Sequence, residues 1–241
     1  MKPANRIMKR VLRDGTAAIA AMIIGGASLG YAQESVSVRA TLLTGGVPVD
    51  DPSAAVWSSA PPATFPMSPQ VHWQNRIQEV TVKDVSVRAL HDGTQVAVLV
   101  EYTDPTQDPD DAAALEFMVG DKKAHFAHGQ PMLQVEGGPV NIWFWKNKTG
   151  KAIDMSAKGF GTLKPQEHQD VTAKGVYSNG TWKVVFSRKL LTGHADEDVQ
   201  ITAGQFMSIS FAVWDGRKDA VGELVEKGSQ KAVSSWWYFR A

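Results

Sequence analysis

The pattern of apolar and polar positions predicts a chain built mainly from short β-strands. Apolar and polar residues alternate in segments 35–43 and 79–90, and a further apolar segment, 95–102, follows the turn Asp92-Gly93. Two more apolar segments, 175–177 and 181–187, flank Asn179-Gly180. Because Asp-Gly and Asn-Gly are favoured in two-residue β-turns, both pairs of segments are predicted to form antiparallel hairpins.

Three other apolar segments, 140–145, 207–214 and 232–239, are also predicted to be strands. Helical periodicity is weak and is limited to short stretches at 110–115 and 188–191. Many short strands separated by turn residues are typical of sandwiches and barrels. The predicted fold is therefore mainly β, an antiparallel β-sandwich with a few short helices and long loops.

The first 32 residues have the pattern of a secretory signal peptide. Five basic residues precede an apolar segment at 16–32, which ends in Gly30-Tyr31-Ala32, a suitable cleavage site. We expect residues 1–32 to be removed, leaving a single domain at 33–241. No other segment is long and apolar enough to span a bilayer, so the mature chain is predicted to be periplasmic, in a bacterium.

Charge and cysteine content exclude several kinds of function. The whole chain has 25 basic and 25 acidic residues, and residues 1–32 carry five of the basic and one of the acidic ones, which leaves 20 basic and 24 acidic residues. An excess of acidic residues argues against binding to nucleic acid. The chain has no cysteine, so it can form neither disulfides nor a thiolate-bound iron–sulfur cluster, and any haem must be held non-covalently.

Motifs of catalytic sites are missing from the sequence. There is no G-x-S-x-G, no phosphate-binding G-x-x-x-x-G-K-[ST] and no H-E-x-x-H. The chain is therefore predicted not to be an enzyme by itself. The acidic, proline-containing segment 104–111 does not have the spacing of an EF-hand, and a solvated loop is favoured there over a calcium loop.

The segment from His125 to Lys146 contains the most informative chemistry. It combines two histidines, Met132 and two tryptophans with several glycines and prolines, which predicts a loop leading into a strand at 140–145. A thioether or an imidazole on irregular backbone, beside an apolar wall, is what a haem site requires. An ordinary long loop with Met132 as core filler is the alternative that these residues leave open.

Three segments together resemble a known family. They are P-V-N-I-W-F-W-K at 139–146, F-A-V-W-D-G at 211–216 and K-A-V-S-S-W-W-Y-F at 231–239. In this order they resemble the haem b-binding γ subunits of periplasmic molybdenum enzymes of the type II DMSO-reductase family. That family includes ethylbenzene dehydrogenase, dimethylsulfide dehydrogenase, selenate reductase and chlorate reductase.

The resemblance implies a β-sandwich that carries one non-covalent b-type haem between a methionine and a lysine. Residue by residue, the axial ligands of the iron are placed at Met132 and Lys231. His128 is a rival to Met132, because the loop departs from the family's pattern, and Lys146 and Lys218 are rivals to Lys231. The other residues implied to bind the cofactor are Asn141, Trp143 and Trp145.

The resemblance also implies a function and partners. The chain would pass electrons between a periplasmic partner, such as a soluble cytochrome c, and an iron–sulfur β subunit. That β subunit would connect to a molybdopterin α subunit in a heterotrimer. The alternative is a β-sandwich carbohydrate-binding module that uses exposed tryptophans, of which the chain has eight in all. A soft ligand such as Met132 just before an aromatic strand distinguishes the two, because sugar binding does not need it.

Overall fold

A computed structural model describes residues 37–70, 77–121, 137–158 and 162–241 of the 241-residue chain. The chain divides into residues 1–34 and a unit from Ser35 to Ala241. The predicted signal peptide and the predicted loop ligands Met132 and His128 lie outside the described residues. Both therefore stay predictions.

The predicted β fold is confirmed. The described residues form fourteen strands and one five-residue 3-10 helix, Ala55–Ser59, and none of their helices is long and apolar enough to cross a bilayer. The strands are β1 (Ser37–Leu42), β2 (Ala63–Pro66), β3 (Ser68–Pro69), β4 (Asp84–His91), β5 (Gln95–Thr103), β6 (Ala112–Met118), β7 (Val140–Lys146), β8 (Lys151–Ala157), β9 (Lys164–Pro165), β10 (Thr172–Ser178), β11 (Thr181–Lys189), β12 (Phe206–Trp214), β13 (Ala232–Val233) and β14 (Trp237–Arg240).

The strands form two layers joined through β1. Their order is β10-β11-β5-β4-β1-β14-β12-β6-β7-β8-β9. We call the part from β14 to β9 sheet A and the part from β10 to β4 sheet B. Residues 37–39 of β1 pair with β14 and residues 40–42 pair with β4, both in parallel. The sheet is therefore mixed rather than purely antiparallel, because β1 runs parallel to both of its neighbours.

Both predicted hairpins are confirmed. The β4–β5 pair turns at Asp92-Gly93, and the β10–β11 pair turns at Asn179-Gly180, with φ angles of 51° and 74° at Asn179 and Gly180. Two positive φ angles are the requirement of the type I′ turn, which matches the twist of the flanking strands.

Three local predictions are wrong. The suggested helical turn at 110–115 lies mostly in β6, and the one at 188–191 begins in β11, because pairing with neighbouring strands outweighs weak helical periodicity. The third concerns the acidic segment 104–111, which is not simply solvated. Asp104 and Asp111 at its two ends are fully buried.

The main core lies between the two sheets. The rings of Trp145 and Trp182 lie 5.1 Å apart, and those of Phe65 and Phe211 lie 4.9 Å apart. Each pair joins a strand of sheet A to a strand on the sheet B side, so aromatic packing fixes the distance between the layers. A second apolar cluster covers the opposite side of sheet B, where Trp57 is buried.

Candidate functional site

The side of sheet A that faces away from the core is largely apolar. Successive side chains of a strand point to opposite faces, and residues such as Leu115, Trp143 and Phe211 belong to the core. The intervening residues form what we call the outer apolar face. Its members are Ala112, Ala114, Glu116 and Met118 on β6, Ser210, Ala212 and Trp214 on β12, Val140, Ile142 and Phe144 on β7, and Ile153, Met155 and Ala157 on β8.

Small side chains occupy the middle of this face. Ala114 lies directly opposite Ala212 in the β6–β12 pair and opposite Phe144 in the β6–β7 pair. Ala112 lies opposite Trp214, and the rings of Phe144 and Trp214 meet edge to face, 5.5 Å apart. A floor of alanines bounded by aromatic rings suits a flat apolar ligand.

Lys231 is brought to this face by the short strand β13. The strand pairs with β12, and the backbone carbonyl of Lys231 accepts a hydrogen bond of 3.0 Å from the amide of Gln70. Its Nζ lies 4.9 Å from the centroid of the Trp214 ring and donates to the carbonyl of Gly228 at 3.4 Å. The amine therefore stands at the edge of the alanine floor.

The electrostatics of this amine are unusual. Burial lowers the pKa of Lys231 to about 8, although the nearby Glu116 carboxylate opposes the change. Burial also raises the pKa of Glu116, against the effects of Lys231 and of Ser210, whose hydroxyl donates to Glu116 at 3.3 Å. A lysine must lose its proton before it can bind a metal, and desolvation lowers the cost of that loss.

The two rival lysines have other surroundings. Lys146 lies opposite Ala112, on the same side of β7 as Phe144, and its amine forms an ion pair of 2.5 Å with Asp110. Lys218 is exposed, and its backbone pairs with that of Leu224. Lys231 combines a place beside the Trp214 ring with a pKa that burial lowers.

The structure does not bring Asn141, Trp143 and Trp145 together with Lys231. They lie on the opposite side of β7, because their positions alternate with those of the outer apolar face. Asn141 donates to Asp154 at 2.6 Å and accepts from Trp143 Nε1 at 2.9 Å. Trp145 packs against Trp182 in the core. Contact of these three residues with a cofactor stays a prediction.

Asn141 also belongs to a buried polar network. Its Oδ1 accepts a second hydrogen bond, from Arg188 Nη1, at 2.9 Å, and Arg188 lies 3.4 Å from Asp198. The guanidinium stands 5.0 Å from the centroid of the Trp143 ring. The network therefore fixes the inner side of β7, the strand whose other side carries Ile142 and Phe144.

Sequence reasoning missed Glu116 and the alanine floor. The available signal was a single acid inside the apolar run A-A-A-L-E-F-M of β6. An acid in such a run is either exposed or paired with a buried base. The sequence did not reveal which base, because Lys231 is more than a hundred residues away along the chain.

The tryptophans do not form an exposed platform in the described residues. Trp57, Trp143, Trp145 and Trp182 are buried. The other described tryptophans, Trp214, Trp236 and Trp237, are half-buried. Stacking on sugars requires an accessible ring face, so this distribution does not favour the carbohydrate-binding alternative.

Comparison with known proteins gives several matches. The sequence model of the family described as "Ethylbenzene dehydrogenase" matches residues 54–170 and 159–225. The chlorate reductase subunit gamma of Ideonella dechloratans is 29% identical over 249 residues, covering 98% of each chain. The dimethylsulfide dehydrogenase subunit gamma of Rhodovulum sulfidophilum is 27% identical, covering 79% of this chain and 74% of that one.

Another relative is named as a heme subunit. A candidate respiratory nitrate reductase heme subunit of Haloferax mediterranei is 25% identical over 198 residues, covering 78% of this chain and 67% of that one. Among solved structures, a family 9 carbohydrate binding module from Caldicellulosiruptor kristjanssonii in complex with cellotriose gives a TM-score of 0.42 at 10% identity, covering 84% of this chain and 83% of that one. Nothing about function follows from a structural likeness of this size.

Proposed function

This chain belongs to the ethylbenzene dehydrogenase family, and on that premise we propose that it is the electron-transfer subunit of a molybdenum oxidoreductase complex and carries one non-covalent haem b. Relatives named as gamma subunits of a reductase and of a dehydrogenase support the place in a complex. A relative named as a heme subunit supports the cofactor. Substrate chemistry then takes place in another subunit.

The observation that carries the proposal is the position of Lys231. Its amine stands beside Trp214 at the edge of an apolar floor, with a pKa lowered to about 8 by burial. Haem iron would draw this pKa down further, because a metal competes with the proton for the same lone pair. Lys231 is therefore the proposed axial ligand on this side of the haem.

Chain connectivity supports the second ligand. The segment that holds Met132 and His128 connects β6 to β7, two neighbouring strands of the outer apolar face. We propose Met132 as the other axial ligand, with His128 as its rival. A thioether ligand favours ferrous iron and so raises the reduction potential.

The residues of the face have distinct proposed roles. Haem, when bound, would accept and donate one electron at a time. Ala114 and Ala212 leave room for a flat ring system, and Phe144 and Trp214 keep water from its edge. Glu116 favours the ammonium form of Lys231 and thereby sets the pH at which the amine becomes available.

Asn141, Trp143 and Trp145 remain proposed site residues, in a supporting role. They fix the inner side of β7 through hydrogen bonds and ring packing. The outer side of the same strand presents Ile142 and Phe144 to the site. In this role they stabilise the strand that carries the site and do not themselves ligate the iron.

The proposed partners are an iron–sulfur β subunit and a molybdopterin α subunit, with a soluble cytochrome c as the external redox partner. After removal of residues 1–32 the chain would be periplasmic and would have an excess of acidic residues. An acidic surface suits an encounter with a basic cytochrome, because complementary charges raise the association rate.

Purification of the native complex tests the proposal. We expect a red protein that co-purifies with an iron–sulfur subunit and with molybdenum, and a pyridine haemochrome spectrum of the b type. Acid–acetone extraction should leave the polypeptide colourless, because no cysteine is present to hold haem covalently. A colourless native protein, pigment that resists extraction, or a native monomer without molybdenum would contradict the proposal.

A further inference from the structure

Three carboxylates converge at one end of the sandwich, in a cluster that does not include Lys231. Oxygens of Asp104, Asp111 and Asp215 lie within 4.8 Å of one another. None of the three residues is more than 1% exposed. Burying three like charges together is costly unless protons or a cation balance them.

The cluster joins the two sheets. Asp104 follows β5 of sheet B, whereas Asp111 precedes β6 and Asp215 follows β12, both in sheet A. Asp111 accepts a hydrogen bond of 3.0 Å from Trp182 Nε1 on sheet B and one of 2.8 Å from the amide of Gly216 beside β12. The positions of the carboxylates are therefore set by both layers.

Close backbone approach helps to hold the cluster. A Cβ atom on Gly216 would lie 2.4 Å from the backbone nitrogen of Asp111, a distance that non-bonded atoms do not reach. Only glycine allows the chain after β12 to pass this close to the start of β6. This contact brings Asp215 next to Asp111.

Several buried polar atoms of the cluster have no hydrogen-bond partner within the described parts of the chain. They include Asp104 Oδ2 and the hydroxyl of Tyr102, a residue that is 3% exposed. Asp215 Oδ2 accepts no hydrogen bond either, but it forms an ion pair with the half-exposed Arg217, whose Nε lies 3.1 Å away. Leaving buried polar groups without partners is unfavourable, so these atoms point to a missing ligand.

The titration of the cluster agrees with this geometry. Burial raises the pKa of Asp104 to about 7, and the charges of Asp111 and Asp215 add to the effect. Burial and the same three carboxylates raise the pKa of the Tyr102 phenol, so its oxygen lies in their field. Glu226 accepts the amide hydrogen of Asp215 at 3.0 Å and has a pKa raised to about 7, chiefly by burial.

We infer that Asp104, Asp111 and Asp215 bind a hard divalent cation that links sheet A to sheet B. Ca²⁺ is the ion we expect. The donors in the cluster are all oxygen, the type that Ca²⁺ and Mg²⁺ prefer, and they include no imidazole or thiolate. Ca²⁺ tolerates irregular coordination and completes its shell with water, whereas Mg²⁺ requires a nearly ideal octahedron. The site is separate from the proposed haem site and does not depend on it.

The test uses the full chain after treatment with a chelator and dialysis. At pH 8, Ca²⁺ should raise Tm by roughly 5–10 °C at concentrations about a hundredfold above Kd, as expected when a ligand binds only the folded state. Mg²⁺ should give a smaller shift. Tb³⁺ should show luminescence sensitised by Trp182, and added Ca²⁺ should displace it.

Matched variants locate the site. D104N and D215N should lower the affinity for Ca²⁺ by about tenfold or more, because affinity follows the number of ligand charges. D50N changes an exposed aspartate and should bind as the wild type does. If the cluster variants fail to fold, displacement of Tb³⁺ by Ca²⁺ in the wild type is sufficient support. A wild-type Tm unaffected by Ca²⁺, with no sensitised luminescence, would overturn the inference and leave protons as the balancing charge.

Discussion

The amine of Lys231 lies 4.9 Å from the centroid of the Trp214 ring. A cation over an aromatic ring is stabilised by the ring's quadrupole, whereas burial favours the neutral amine. Burial outweighs the ring at Lys231, because its pKa is lowered to about 8. Most of the amine is still protonated at pH 7, but removing the proton costs less than for an exposed lysine, and a metal needs the neutral amine.

The first prediction concerns Lys231 as an iron ligand. Replacing it with alanine should convert a six-coordinate low-spin haem to a high-spin one at neutral pH, measured by absorption and electron paramagnetic resonance. Lys218→Ala and Lys146→Ala should keep the low-spin spectrum, because one lysine is exposed and the other is paired with Asp110. An unchanged low-spin spectrum in Lys231→Ala would assign the ligand elsewhere.

The second prediction concerns pH. The folded pKa of Lys231 lies below its unfolded value, so the neutral amine is available above the folded value and is lost as pH falls through it. Because Glu116 raises this pKa, Glu116→Gln should move the low-spin to high-spin transition to lower pH in a spectrophotometric titration. Glu101→Gln, a carboxylate on sheet B paired with Lys183, should leave the midpoint in place. A shift to higher pH would contradict the assigned role of Glu116.

The third prediction concerns the alanine floor. Ala114→Leu places three extra carbon atoms on the outer apolar face, where a flat cofactor would need the space. We expect haem content per folded chain to fall by about tenfold, with the circular dichroism spectrum of a β-protein retained; a loss of about 1–3 kcal/mol is typical of overpacking. Lys174→Leu, at an exposed position of β10, should keep full haem content. Normal haem binding by Ala114→Leu would remove this face from consideration.

The fourth prediction separates two roles for Asn141. Asn141→Ala removes one buried hydrogen bond from each of Asp154, Trp143 and Arg188. The free energy of unfolding should fall by about 2–4 kcal/mol, while the haem spectrum of the remaining folded protein stays unchanged. Urea denaturation measures the free energy of unfolding. The control is Asn147→Ala, which loses one half-buried hydrogen bond and should lower the free energy of unfolding by about 1 kcal/mol. Unchanged stability with loss of haem would instead indicate direct cofactor contact.

The fifth prediction concerns stability without calcium. The folded pKa of Asp104, at about 7, lies above its unfolded value near 4, so the folded state holds a proton that the unfolded state releases between these values. Stability should therefore fall as pH rises from about 4 to about 7 in calcium-free buffer, as followed by thermal unfolding. D104N should make this dependence shallower without removing it, because burial also raises the pKa of Asp111 and of Glu226. Stability that rises across the whole interval in both proteins would contradict the titration assigned to Asp104.

Local sequence signals predicted the hairpins, but they did not predict the pairing of strands that are distant in the sequence. Asp92-Gly93 and Asn179-Gly180 encode their turns in two adjacent residues, so the strands on either side could be located. The parallel pairing of β1 with β4 and β14 has no local signature. The sequence consequently suggested an antiparallel sandwich where the sheet is mixed.

The candidate site was predictable only in part. The family resemblance predicted Lys231 as a ligand. Its burial and its neighbour Glu116 could be seen only in the structure, because they depend on how distant strands pair. Asp104 and Asp111 lie within an acidic, proline-containing segment that composition alone suggests is solvated. In the fold both are buried beside Asp215, which lies about a hundred residues further along the chain.

The division of β1 between two partners has a consequence for how the protein matures. Ser37 pairs with Tyr238, about two hundred residues away, so sheet A cannot be completed until nearly the whole chain is present. Lys231 lies in that same late portion. During synthesis or export, the growing chain would carry a β1 edge without its β14 partner and a candidate site without Lys231. Closure of sheet A and completion of the candidate site thus both wait for the last residues of the chain, and a chain interrupted before Lys231 would have neither.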